Sequence, residues 1–178
     1  MVLRHYWRGG LVARVSDDLH LFTGVRRSRP WREVALLSEL VTRGLPVPEP
    51  VGARLTPRGP FYRADLLTRR IPHTRTFADW VRGEEGDDPA VWAAVGRTIR
   101  RFHDAGAHHA DLNVRNILLD QTNRVWLIDW DKGRIGGREP ARQERILRRL
   151  RRSLAKEAEL EKVAATRWEV LARAHEAG

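Results

Sequence analysis

Three polar side chains lie close together in one stretch of the chain, at spacings that suit the transfer of a phosphoryl group. Asp111 belongs to a His-x-Asp sequence, Asn116 follows five residues later, and Asp129 ends the second of two apolar runs. Phosphoryl transfer from a nucleotide needs a carboxylate near the acceptor hydroxyl and oxygen ligands that hold Mg²⁺ on the phosphates. Asp111 is therefore a candidate base, and Asn116 and Asp129 are candidate magnesium ligands.

The segments between these residues predict how they are brought together. Residues 117–119 and 125–128 are apolar and β-prone, and the Asp120-Gln121-Thr122-Asn123 sequence between them is typical of a turn. A loop, a strand, a turn and a second strand would carry all three polar side chains to one end of a hairpin. Each acid alone would be interpreted as a cap or turn residue, but the ordered set of three is not explained in that way.

The order and spacing of this set resemble those of protein kinases. Their catalytic loop reads His-Arg-Asp-Leu-x-x-x-Asn and is followed by Asp-Phe-Gly. The corresponding residues here are His109-Ala110-Asp111-Leu112 with Asn116, and then Asp129-Trp130-Asp131. Two positions differ, because Asn113 stands where protein kinases usually have a Lys, and Asp131 replaces the Gly.

Length and composition limit the class of protein. A chain of 178 residues with 42% hydrophobic content can bury one sizeable core or two small lobes, and 31% charged residues do not reach a disordered profile. We find no run of eighteen apolar residues and no signal-peptide core at the N-terminus. The absence of Cys excludes disulfides and thiolate metal sites and is compatible with a reducing cytoplasm. We therefore expect a folded, soluble protein.

The charge of the chain points to polyanionic partners. The net charge is +10, and all but three of the 33 basic residues are Arg. A positive charge of this size attracts nucleotides, nucleic acid or an anionic membrane face. The segment from about Pro140 is predicted to be helical, with an apolar stripe at Leu147, Leu150 and Leu154. Its arginines are Arg142, Arg145, Arg148, Arg149, Arg151 and Arg152. Two interpretations stay open: a solvated basic face, or one that binds anionic lipid or phosphorylated substrate.

Hydrophobic periodicity predicts a small antiparallel sheet with one helix up to about Arg70, and a mainly helical region after it. The predicted strands cover residues 2–6, 51–55 and 61–67, and the predicted helices cover 32–42, 77–81, 89–105 and the segment from about 140. Glu33 is expected in the first turn of its helix. His103 is expected to be a buried, hydrogen-bonded histidine and not a metal ligand.

Several further motifs resemble the 3-deoxy-D-manno-octulosonic acid kinases, a branch of the lipopolysaccharide kinases, along nearly the whole chain. They are Leu3-Arg4-His5-Tyr6-Trp7-Arg8-Gly9-Gly10-Leu11, Gly44-Leu45-Pro46-Val47-Pro48, Ala64-Asp65-Leu66-Leu67-Thr68, and Leu127-Ile128-Asp129-Trp130-Asp131-Lys132-Gly133, together with the loop from Asp111 to Leu119. Asn113 and Asp131, which are unusual for a protein kinase, are normal for this branch.

The resemblance implies ATP-dependent, Mg²⁺-dependent phosphorylation of O-4 of the octulosonic acid on a lipid A precursor. It implies a peripheral position at the cytoplasmic side of the inner membrane, in contact with an anionic surface. Asp111 would orient and deprotonate the hydroxyl, and Asn116 and Asp129 would hold Mg²⁺. Arg4 would take the place of the phosphate-binding Lys, with Glu33 as its partner on the helix; Arg can bind phosphate and pair with a carboxylate.

The resemblance also implies an α+β, protein kinase-like fold with two lobes. A small, β-rich and truncated N-lobe would cover residues 1–70, and a mainly helical C-lobe would cover residues 71–178. Kinases of this kind have two strands with a glycine-rich phosphate cover before the strand at Val2, whereas Gly9-Gly10 follows that strand. We therefore expect the chain as written to be an N-terminally shortened form that binds ATP weakly.

Two alternatives differ in function. The first is another phosphotransferase on the same scaffold, acting on a small molecule or associated with RNA, since a fold does not fix the acceptor. The second is a basic nucleic-acid or membrane-binding module that has lost catalysis. Nucleic acid is disfavoured as a partner because the seven Trp residues are not interleaved with basic residues as in single-strand binders. The sequence does not predict the oligomeric state.

Overall fold

The computed structural model describes residues 1–6, 19–22 and 24–177. A single-turn 3₁₀ helix spans Val25–Arg27. The strands are β1 Val2–His5, β2 His20–Leu21, β3 Pro50–Arg58, β4 Phe61–Thr68, β5 Arg75–Thr76, β6 Ala107–His108, β7 Ile117–Leu119, β8 Val125–Leu127 and β9 Arg134–Ile135. The helices are α1 Arg29–Thr42, α2 Phe77–Arg82, α3 Pro89–Asp104, α4 Pro140–Leu154 and α5 Ala158–Glu176.

The N-terminal sheet is built around β4. β1 pairs antiparallel with β4 from Val2–Thr68 to His5–Asp65, and β3 also pairs antiparallel with β4. The short β2, His20–Leu21, pairs antiparallel with the start of β4 at Tyr62 and Phe61. The predicted strand at the N-terminus and the predicted hairpin of β3 and β4 are confirmed, whereas Gly9-Gly10, which follows the first strand in the sequence, lies outside the described residues.

The turn between β3 and β4 is shorter than the sequence predicts. Residues 56–58 were expected to belong to the turn, but they pair with β4 and leave Gly59-Pro60 to reverse the chain. Gly59 has a φ of 59°, which a residue without a Cβ adopts at low cost. Pro57 fits into β3 because this strand pairs with β4 alone among the described strands, so its missing N–H is not needed.

Helix α1 begins three residues earlier than the periodicity predicts, at Arg29. The apolar pattern starts at Val34, but Pro30 occupies the first turn, where its missing N–H and fixed φ are compatible with a helix. The expectation that Glu33 lies in the first turn is therefore wrong. Glu33 is 2% exposed, so it faces the interior and not the solvent at the helix start.

The remaining helices enclose one core. Trp80, Trp92 and Phe77 are fully buried, with the Phe77 ring stacked on Trp80 and edge-on to Trp92. α3 packs along α5, and Gly96 allows this close approach, because an added Cβ would lie 2.2 Å from the backbone oxygen of Leu171. Across the described residues, no helix is long and apolar enough to cross a membrane.

The basic C-terminal segment forms two helices, and its arginines do not all share one face. Arg151 pairs with Glu161 on α5 and lies 5.9 Å over the ring of Trp168. Arg149 and Arg152 instead line cavities beside the catalytic loop. The single basic face considered from the sequence is therefore divided between a packing side and a cavity side.

His103 is buried as predicted and shares a 2.8 Å hydrogen bond between its Nδ1 and Nε2 of His175. Burial lowers the pKa of His103 to about 3, and it also lowers the pKa of His175. One ring donates and the other accepts, so protonation of both would leave two N–H groups facing each other. In the unfolded chain a His titrates near about 6.5.

The unfolded state therefore binds more protons below about pH 6.5, and the free energy of unfolding should fall as the pH drops from about 7. At about pH 5 the loss due to His103 is about 2 kcal/mol. The variant His103→Gln keeps a neutral polar group, and its unfolding free energy should depend less on pH over this range. Urea titrations at about pH 7, 6 and 5 measure this, and equal slopes for both proteins would contradict the assignment.

Candidate active site

One cation joins three separate parts of the chain at the candidate site. Arg4 on β1 donates through Nη2 to Glu33 on α1 and through Nη1 to Asp129, which follows β8. The Tyr6 hydroxyl donates a 2.6 Å hydrogen bond to the same oxygen of Glu33. The pairing of Arg4 with Glu33 that the family resemblance implies is therefore present, while the roles of both residues in nucleotide binding stay a prediction.

Burial and neighbouring charges shift the pKa values of Glu33 and Arg4 in opposite directions. Burial raises the pKa of the Glu33 carboxyl, although the Arg4 cation and the Tyr6 hydroxyl oppose the shift. Burial alone would lower the pKa of Arg4, but the carboxylates of Glu33 and Asp129 more than offset it, so its pKa is raised. Arg4 consequently stays charged, and its guanidinium lines the cavity between the carboxylates of Glu33 and Asp129.

The loop after β8 holds Asp129 in an unusual backbone conformation. Its φ is 64°, in the left-handed region that Asp and Asn tolerate better than most residues. Two residues later, Asp131 accepts a 3.0 Å hydrogen bond from Nε of Arg29 at the start of α1. Strained backbone is often found at functional sites. Here Arg4 contacts the Asp129 carboxylate, and Arg29 holds the loop two residues further on.

The catalytic loop is held together by hydrogen bonds to its backbone. The side-chain amides of Asn113 and Asn116 both donate to the carbonyl oxygen of Asp111, at 3.0 and 3.1 Å. The amide oxygen of Asn116 is then available as a metal ligand. The Asn116 carbonyl accepts a 3.0 Å hydrogen bond from the backbone N–H of Ile128, so the two candidate metal ligands are fixed relative to one another.

His109 links the loop to the strand before Asp129. It is 3% exposed, and burial lowers its pKa, so the ring is neutral. Nε2 donates to the carbonyl of Ile128 at 2.8 Å, and Nδ1 accepts from the backbone N–H of Asp111 at 3.2 Å. His109 belongs to the His-x-Asp motif, but this role was not predicted from the sequence; its position two residues before the candidate base was the available signal.

The carboxylate of Asp111 is half-exposed and has a partner that the sequence did not reveal. Nη2 of Arg149 on α4 lies 2.5 Å from Oδ1 of Asp111. Arg149 was one of six arginines in its segment, and nothing in the local pattern distinguished it. A cation therefore lies beside the candidate base although Asn113 replaces the usual Lys.

A cavity of about 360 Å³ lies among β1, β4, α1 and the catalytic loop. Arg4, Glu33, Asn116 and Asp129 line it, whereas Asp111 lines another cavity, of about 510 Å³. Apolar walls are formed by Val2, Leu37, Leu66, Leu118 and Ile128. Four of the five predicted site residues therefore share one cavity, and the fifth lies on another side of the loop.

These residues fit a nucleotide and its metal ion. The apolar walls can hold a base, and Arg4 can meet the phosphates. Among the described residues, no group of three His, Cys, Asp or Glu side chains could hold a metal ion by itself. Asp129 and the Asn116 amide oxygen, both on the wall of this cavity, are the residues that would hold Mg²⁺ together with phosphate oxygens.

Comparison with known proteins identifies the family of the chain. The model of the lipopolysaccharide kinase (Kdo/WaaP) family matches residues 1–174. The chain belongs to this family. The family predicted from the motifs is therefore confirmed, and the mixed arrangement of small sheets and helices is consistent with it.

Several relatives carry the same name, 3-deoxy-D-manno-octulosonic acid kinase. The protein of Photobacterium profundum is 44% identical over 99% of this chain and 75% of its own length. Those of Xanthomonas euvesicatoria pv. vesicatoria and Stenotrophomonas maltophilia are 47% and 46% identical over 87% of this chain. The chain spans 61% of the length of these last two relatives.

Proposed function

We propose that this protein transfers the γ-phosphoryl group of ATP to O-4 of 3-deoxy-D-manno-octulosonic acid on a lipid A precursor, in lipopolysaccharide core biosynthesis. The observation that carries the proposal is the meeting of Arg4, Glu33, Asn116 and Asp129 around one cavity beside the loop of Asp111. The names of the relatives support the sugar acid as acceptor.

The proposal gives each side chain a role that its contacts support. Arg4, oriented by Glu33, neutralises the charge of the phosphates. Asp129 and the amide oxygen of Asn116 would hold Mg²⁺, which would supply positive charge to the phosphates during transfer. Asp111 orients the hydroxyl and accepts its proton. His109 positions Asp111 through the backbone, as its two hydrogen bonds indicate.

The proposed arrangement includes two lobes and a membrane surface. Residues 1–70 would form the N-lobe and residues 71–178 the helical C-lobe, with the nucleotide cavity between them. The charge of +10 supports a peripheral position on an anionic membrane face. The cytoplasmic side of the inner membrane is the proposed location, because ATP and the lipid-linked sugar would meet there.

The experiment that tests the function is a transfer assay with magnesium and ATP. The acceptor is the detergent-dispersed lipid A precursor that carries the octulosonic acid, with the same precursor lacking this sugar as control. We expect phosphate on the first acceptor alone, and NMR of the product should place it at O-4. Transfer to an aminoglycoside in place of the sugar acid would support a different phosphotransferase on the same scaffold.

A further inference from the structure

A strongly basic cleft of about 460 Å³ opens beside the catalytic loop. Its lining includes His108, His109 and Ala110, which directly precede Asp111 in the chain. Seven cationic side chains also line it: Lys132, Arg134, Arg142, Arg145, Arg148, Arg149 and Arg152. We refer to this feature as the basic cleft.

The acids nearby do not neutralise the basic cleft. Four of its cations have acidic partners: Arg134 and Arg142 share Glu139, Arg148 pairs with Glu144, and Arg149 pairs with Asp111. Three cations form no ion pair within the described ranges of the chain: Lys132, Arg145 and Arg152. Like charges gathered in one concave surface repel each other, and the field they create attracts a ligand with several negative charges.

The basic cleft continues to the candidate base. Arg149 and Arg152 line both the basic cleft and the cavity that contains the Asp111 carboxylate. The ion pair between Arg149 and Asp111 lies where the two meet. A molecule whose acidic groups occupy the basic cleft can therefore place a nearby hydroxyl beside Asp111.

We propose that the basic cleft is a subsite for acidic groups, carboxylate or phosphate, carried by the same molecule whose hydroxyl is phosphorylated. The inference rests on the proposed function and adds how the acceptor is held. Guanidinium groups bind both kinds of anion with paired hydrogen bonds, which fixes orientation as well as charge. Arg145 and Arg152 provide binding, while Arg149 also positions the anion relative to Asp111.

The first test separates acceptor binding from chemistry. The double variant Arg145→Gln, Arg152→Gln, called the cleft variant below, removes two cations of the basic cleft that form no ion pair with the described residues, and it leaves the nucleotide cavity and Asp111 unchanged. We expect its KM for the acceptor to rise at least about tenfold, because the loss of charge-assisted hydrogen bonds weakens binding by about this much. Its kcat and its KM for ATP should stay within about twofold of the wild-type values. The matched control is Arg97→Gln, Arg173→Gln, which removes the same charge from exposed positions on α3 and α5 and should keep wild-type values.

The second test measures binding and not catalysis, so its result tests the subsite even if no phosphoryl transfer to the sugar acid is observed. Calorimetry at low salt compares free 3-deoxy-D-manno-octulosonic acid, its neutral methyl ester and a bisphosphorylated glucosamine disaccharide. If the carboxylate is the bound group, the cleft variant loses affinity for the acid and the ester binds neither protein well. If lipid phosphates are the bound groups, the variant loses affinity for the disaccharide.

Two results would overturn the inference. One is unchanged affinity of the cleft variant for both the sugar acid and the disaccharide. The other is weaker binding of the cleft variant to phosphatidylglycerol vesicles together with an unchanged KM for the detergent-dispersed acceptor, which would assign the basic cleft to the membrane surface. Vesicle binding equal to that of the Arg97, Arg173 control, with a raised acceptor KM, supports the subsite.

Discussion

The variant Asp111→Asn is expected to lower kcat by roughly 10²–10⁴-fold, the contribution usual for a positioned general base. Asn has the same shape but cannot accept the proton of the acceptor hydroxyl. The loop should keep its conformation, because its contacts with His109, Asn113 and Asn116 use the backbone N–H and carbonyl of Asp111. KM for ATP should therefore change little. Steady-state transfer assays at saturating magnesium measure the effect.

The matched control is Asp104→Asn, the same chemical change at an exposed carboxylate that pairs with Arg100 on α3. It should retain wild-type kcat. Thermal unfolding of both variants checks that the fold is intact. A kcat for Asp111→Asn within about threefold of wild type would rule out Asp111 as the base, since general-base catalysis contributes far more.

The variant Asp129→Asn is expected to remove the magnesium dependence of nucleotide binding. Asn tolerates the φ of 64° at this position as well as Asp does, so the loss can be assigned to charge and not to backbone strain. A contact with a charged group contributes roughly 1.5–3 kcal/mol, which corresponds to at least about a tenfold weaker Kd for ATP with magnesium. Fluorescence titration with a labelled ATP analogue measures it.

The internal control is the same titration in the presence of a chelator. Without magnesium, Asp129→Asn should bind the analogue no more weakly than wild type does, because Arg4 keeps Glu33 as a partner. A variant that responds to magnesium as wild type does would exclude Asp129 as a metal ligand and would leave its ion pair with Arg4 as its main role.

The sequence predicted the parts of the site that depend on neighbouring residues. Asn116 and Asp129 belong to one loop and hairpin, and they line one cavity as their spacing predicts, whereas Asp111, which was expected at the same end of the hairpin, lines another cavity. The burial of His103 was likewise predicted from its place on the apolar face of α3. The sheet of β1, β3 and β4 followed from alternating residues and turn signals, although the turn and the start of α1 were displaced by a few residues.

Contacts between distant parts of the chain were not predictable from local patterns. Arg4 and Glu33 were paired through the family resemblance, because periodicity alone places Glu33 at a helix start and Arg4 in a strand. The pair of Arg149 with Asp111 was missed, since six arginines in one segment look alike until α4 is packed against the loop. The division of that segment into a packing side and a cavity side was not predictable either, because it depends on the ion pair of Arg151 with Glu161 on α5.

The ion pairs of the loop after β8 have a consequence for how the chain folds. Arg4 and Asp129 are 125 residues apart in sequence, and Arg29 and Asp131 are 102 apart. Bringing residues so far apart in sequence together costs conformational entropy, and this cost is offset only after the ion pairs have formed. The site should therefore assemble late, after β1 and α1 have docked on the hairpin of β7 and β8. Nucleotide binding during refolding would then report completion of the native state, and not the formation of either half of the chain.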